Sequence, residues 1–111
     1  MPIADKRVFP KPGFYYHYKH DPTGVVNNYA YEVVNVAHHT EDKETVLVIY
    51  RPLYKEAFVY KQGKHFDARP LEMFMEKIEK GGRMIPRFRR ITNKDVLFEL
   101  QKIKERMYSA A

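Results

Sequence analysis

The apolar runs of this sequence are short, and several are closed by Pro or Asn before they could complete a long helix. That punctuation favours strands and turns. After Pro10, Pro12 and Gly13 comes Phe14-Tyr15-Tyr16-His17-Tyr18-Lys19, made of residue types that suit a strand. Alternation would set Phe14, Tyr16 and Tyr18 on one face and Tyr15 and His17 on the other. The stretch HDPTGVVNN, His20 to Asn28, carries Asp-Pro, Gly and Asn-Asn and predicts an exposed loop. A second strand is expected from Tyr29 to about His39 and a third from Thr45 to Arg51, joined by the short polar connection EDKE. Pro52 ends the third. Phe58-Val59-Tyr60 and Phe66-Asp67-Ala68 bracket the turn signal Gln62-Gly63-Lys64 and predict one more hairpin.

Helical spacing enters later. Pro70 suits a first helical turn, Leu71, Phe74, Met75 and Ile78 recur at helical intervals, and Gly81 supplies a stop, so a helix is predicted near 70–80. Arg87 to Ile91 is extended again. Thr92-Asn93-Lys94-Asp95 resembles a capping box with Asp in place of Glu, and Val96, Leu100, Ile103 and Met107 form one stripe of a final amphipathic helix over 93–111. That stripe must pack on the sheet or on another copy of the chain. The expected layout is an extended arm over 1–12, a folded domain over 13–92 and the terminal helix.

A chain of 111 residues is the length of one domain, and its 44% hydrophobic content, with nine Tyr and seven Phe, argues for folding over disorder. The absence of cysteine excludes disulfides, thiolate catalysis and thiolate-held metals. The opening MPIADKRVFPKP lacks the apolar core of a secretory signal, and no run of about 20 apolar residues follows. A cytoplasmic protein without membrane contact is therefore expected. A formal net charge of +6 favours anionic partners.

Five blocks in order, GFYYHYK (Gly13 to Lys19), YEVVNVAHHTED (Tyr31 to Asp42), VIYRPLY (Val48 to Tyr54), ARPLEMF (Ala68 to Phe74) and IPRF (Ile85 to Phe88), resemble a mainly bacterial family known as the domain of unknown function number sixteen fifty-three. The resemblance covers roughly Gly13 to Ile91. It implies an SH3-like small barrel and no activity; with the elements read above, the expected fold is mainly β with α additions, a barrel with one inserted helix and a C-terminal helix. Two features depart from the family pattern: HDPTGVVNN, and the final helix beyond the shared core.

The stretch VAHHTEDKET concentrates titratable groups. His38 and His39, adjacent on a strand, point to opposite faces, so they cannot readily share a metal ion, and no metal site is expected. His39 and Glu41 have the spacing of the H-x-E motif of zinc deaminases, but the cysteine partners of that motif are missing. Two readings follow. Either these residues end a strand and bond its turn, or they line a pocket with His17 and Tyr50, the raw material for a small hydrolase or lyase. No P-loop, G-x-G-x-x-G, H-E-x-x-H or G-x-S-x-G occurs, and no cofactor is implied.

The strongest charge feature is KGGRMIPRFRRITNK, Lys80 to Lys94, where Arg83, Arg87, Arg89 and Arg90 flank Phe88 without an acidic residue. Arginine interleaved with aromatic rings suits phosphates and bases, but alternation would split Arg87 and Arg89 from Arg90, and a solvated or ion-paired face is the competing, favoured reading. Tyr16 and Tyr54 are candidates for exposed ligand-binding rings. The expectation is a non-catalytic binding module for RNA, single-stranded DNA, a nucleotide or an acidic protein surface. Self-association through the last helix is a further possibility.

Overall fold

A computed structural model describes residues 7–109; the expected arm over 1–12 lies outside the described residues as far as residue 6. The elements run β1 (Gly13–His17), β2 (Ala30–His38), β3 (Val46–Pro52), α1 (Phe58–Lys61), β4 (Asp67–Pro70), α2 (Leu71–Phe74), β5 (Lys77–Lys80), β6 (Arg83–Pro86), β7 (Phe88–Arg90) and α3 (Lys94–Tyr108). The fold is mainly β. An antiparallel five-stranded sheet has the order β4-β3-β2-β1-β7, and β5 and β6 form a separate hairpin.

Among the described residues β4 and β7 are the edges of the large sheet, so it is open and not a closed barrel. The edges nevertheless approach one another. The Arg69 guanidinium of β4 lies 5.5 Å from the ring centre of Phe88 in β7, a contact across the whole width of the sheet that requires the sheet to curl.

Strand β1 explains why the sheet needs cover on both sides, since Phe14, Tyr15 and Tyr16 are all buried. Alternation sends Tyr15 inside the curl, where it packs with Val33, Val46, Val48, Tyr50, Leu71, Phe74 and Phe88. Phe14 and Tyr16 turn outward and meet Ala30, Leu53, Ile91 and Leu100 beneath α3. Strand β2 carries an irregularity between Val33 and Asn35. Val33 and Val36, three apart, would face opposite ways on a regular strand; the extra residue lets both reach the inner core.

The terminal helix follows its sequence closely. Leu100 and Met107 are fully buried, with Val96, Leu97, Ile103 and Tyr108 packed beside the outer core. The cap is Asn93, one residue later than the predicted box, and its side chain accepts from Val96 N–H at 3.1 Å. Glu32, nearly buried on the outer face, binds Lys104 at 2.6 Å and Arg51 at 2.8 Å, while Arg51 stacks 3.9 Å from the Tyr108 ring centre. The stripe offered for self-association is thus occupied by the sheet.

Two predicted elements are corrected. The helix near 70–80 is a single turn over Leu71–Phe74, after which Lys77–Lys80 pairs with Arg83–Pro86. Gly81 and Gly82 have φ of 59° and 76°, the two positive angles of a tight hairpin, so Gly81 joins strands instead of stopping a helix. Phe58-Val59-Tyr60 is one helical turn and not a strand. That turn delivers the Tyr60 hydroxyl to the Met107 carbonyl at 3.2 Å and its ring edge-on to Tyr108, and those tertiary contacts outweigh local β preference.

Truncating Leu100 to Ala should cost about 3 kcal/mol by leaving a cavity between α3 and the sheet. Asn93→Ala should cost about 1 kcal/mol through the lost cap. Urea denaturation of both variants against the parent checks the order; equal midpoints would contradict the packing described.

Candidate functional site

Two groups of chemistry-bearing side chains are assembled, and His17 belongs to both. The first is the aromatic end of the inner core. Phe88 stacks on Phe74 with ring centres 4.2 Å apart and takes the edges of Tyr31, Tyr50 and His17 at 5.8, 5.5 and 5.1 Å. The Tyr50 hydroxyl accepts from Arg69 Nε at 3.0 Å, and the hydroxyls of Tyr31 and Tyr54 are hydrogen-bonded to each other. Burial raises the pKa of all three tyrosines, so these hydroxyls stay protonated near neutrality.

Burial likewise raises Asp67, partly offset by Arg69. His17 is lowered from 6.5 to about 4 by burial first, then by the positive charges of Arg69, Arg87 and Lys19. A neutral imidazole is the consequence, with Nδ1 accepting from Lys19 N–H at 3.2 Å. Arg87 is largely buried, bonds Glu76 at 3.2 Å and leaves its Nε without a partner.

The second group forms a cleft of about 280 Å³ at the end of β1, lined by Tyr16, His17, Tyr18, His20, Pro22, Lys80, Ile85, Pro86 and Arg89. Register explains the convergence. Tyr16 is paired with Arg89 across β1 and β7, so both side chains leave the same face. Arg87 N–H bonds the Glu76 carbonyl and Tyr18 N–H bonds the Arg87 carbonyl, which swings the β5-β6 hairpin over the opening. Lys80 Nζ then donates to the Tyr18 carbonyl at 3.1 Å. His20 stacks on Tyr16, 3.5 Å between centres and 13° between planes.

No carboxylate lines this cleft, and among the described residues none pairs with Arg89. Two neighbouring hollows also include Tyr16 and Arg89; one runs along Arg90 to Thr92 and Asn93, the other passes Gly24 and Val26. The three read as one interrupted groove.

The predicted residues divide accordingly. His17, Tyr50 and Tyr54 gather at the aromatic end, while Arg89 lines the groove; Tyr16 lines it too, but its ring is buried against the outer core and covered by His20, not the exposed ring expected. His39 and Glu41 join neither. His17 N–H bonds the carbonyl of Tyr29 just before β2, whereas His39 follows its far end, a separation of about 30 Å for an extended strand of that length. Both are exposed and bond their own turn: His39 N–H reaches the Thr45 carbonyl at 2.9 Å, and Glu41 N–H reaches His39 Nδ1 at 3.0 Å.

The arginines also separate. Arg87 turns inward to Glu76, Arg90 reaches the Pro12 carbonyl at 3.3 Å, and Arg83 sits on the hairpin opposite Lys80. Sequence reasoning missed Asp67, Arg69, Tyr31 and His20. Asp67 and Arg69 alternate beside Tyr50 and Val48, but only the β3-β4 register reveals that arrangement. Among the described residues no group of three or more His, Asp or Glu side chains could hold a metal ion, and no helix is long and apolar enough to cross a membrane.

Residues 13–90 match the family described as "Protein of unknown function (DUF1653)". A solved structure titled as a protein of that family from Bordetella bronchiseptica is similar at 29% identity and a TM-score of 0.55, covering 76% of this chain and 94% of its own. No curated protein matches the chain.

Because the folded state holds His17 neutral down to about pH 4, the unfolded chain alone takes up its proton as pH falls from 6.5. Stability should therefore decline with falling pH across that window, and His17→Gln should flatten the decline in urea midpoints. Asp67 acts with the opposite sign, gaining stability as pH falls through its raised pKa, so the comparison with the variant isolates His17. An NMR titration placing the His17 ring at its ordinary value would refute the assignment.

Proposed function

The chain belongs to the DUF1653 family, and from that premise we propose that it is an SH3-like, non-catalytic binding module for nucleotide-containing anions, single-stranded RNA or DNA in particular. The order β4-β3-β2-β1-β7, with the last strand returning beside the first and the two edges meeting across Phe88, supports the SH3-like reading of an open, curled sheet. The observation that carries the function is the groove, where Lys80 and Arg89 share an acid-free cleft with the rings of Tyr16, His17, Tyr18 and His20.

Cations that hold a phosphate beside rings that can stack a base are what a single strand requires. The hairpin adds a second sign. Lys80 lies directly across from Arg83, and like charges in that position repel unless an anion offsets them. The neighbouring hollows along Arg89 favour a ligand longer than one nucleotide. A binding module also agrees with the separation of His39 and Glu41 from His17 and Tyr50, since general acid-base work needs its groups within reach of one substrate.

Fluorescence polarisation with short labelled RNA and DNA strands tests the reading. Affinity should fall linearly on a log-log plot against salt, and Arg89→Ala or Lys80→Ala should each weaken binding and reduce the salt slope by about 1. An absence of binding at low salt, or variants indistinguishable from the parent, would sink the proposal.

A further inference from the structure

Behind the loop 20–28, away from Arg89, lies a notch of opposite character. It measures about 240 Å³ and is lined by Val25, Asn27, Asn28, Tyr29, Tyr54 and Glu56. On a chain of net charge +6, its single charged lining residue is an acid. The rings of Tyr29 and Tyr54 stand 6.1 Å apart at 50°, two walls of an open angle. We propose that this notch is a site for a methylated or quaternary ammonium group, held between the two ring faces beside the Glu56 carboxylate.

The walls are fixed before any ligand arrives. Tyr54 is tied by its hydroxyl to Tyr31, whose ring meets it edge-on at 5.6 Å. Tyr29 has φ of 51°, a left-handed backbone that tyrosine seldom adopts, and its ring lies against His17 at 5.7 Å while staying 39% exposed. Asn27 Nδ2 donates to the Leu53 carbonyl at 2.8 Å, and Asn28 Nδ2 to the Asp21 carbonyl at 2.9 Å, so the loop wall is pinned as well.

Methylation selects the ligand. A bare ammonium is strongly hydrated, and two ring faces with one carboxylate cannot replace its water shell. A methylated ammonium holds water weakly and spreads its charge over apolar surface, which aromatic faces attract.

The test is an NMR titration of the full chain with choline and, separately, with its neutral isostere 3,3-dimethylbutan-1-ol. Choline should give saturable shifts at Tyr29, Tyr54 and residues 25–28 with a millimolar Kd, and the isostere should give none. Tyr29→Gly, which suits the positive φ and removes one wall, should weaken choline binding by about fivefold, and Glu56→Gln by about threefold. Equal shifts from the isostere would mean an apolar notch and overturn the proposal. So would the absence of saturable choline shifts, or unchanged affinity in a folded Tyr29→Gly protein.

Discussion

One aromatic ring holds the curled sheet together. Phe88 enters from the short edge strand β7 and meets Phe74 of α2, Tyr31 of β2, Tyr50 of β3 and His17 of β1, with Arg69 of the opposite edge above it. Stacked and edge-to-face pairs of this kind add specific geometry to the burial they share. With this ring in place the two edges of the open sheet stay within side-chain reach. The position of β7 then sets the direction of Arg89 and the place of the hairpin that brings Lys80 to the groove.

The loop 20–28 follows from the same frame. It is irregular in backbone yet bonded throughout: Tyr16 donates to the Val26 carbonyl at 2.6 Å, His20 Nδ1 bonds the Asn28 carbonyl at 2.7 Å, and Asp21 accepts from both the N–H and the hydroxyl of Thr23. A loop held this way is a wall. It separates a hollow lined by Lys80 and Arg89 from one lined by Glu56, so one surface segment borders two hollows of opposite lining charge.

Charge is distributed by burial. Glu32 gathers Lys104 and Arg51 between α3 and the sheet, and Glu76 takes Arg87; in each pair at least one partner is largely withdrawn from water. Leaving such a partner unpaired would be costly, and these pairs join elements distant in sequence. Among the described residues Lys80, Arg83 and Arg89 are cations that no carboxylate pairs with. Charge composition alone predicted an anionic partner, and pairing shows which cations are available to one.

The sequence by itself determined the first three strands, the faces of β1 and the buried stripe of α3, because period-two and period-3.6 patterns are local consequences of backbone geometry. It offered two readings of His39 to Glu41, and the hydrogen bonds of the turn decide for the end of a strand. It could not decide Lys77 to Lys80, since Leu71, Phe74 and Ile78 fit a helix until Ile85 arrives opposite Ile78 to pair with it. Nor could it gather Tyr31 and Arg69 around Phe88, or separate Arg87 from Arg89 by their partners. Those outcomes depend on which strand lies beside which and in what register, and register is set by the packing of the whole core.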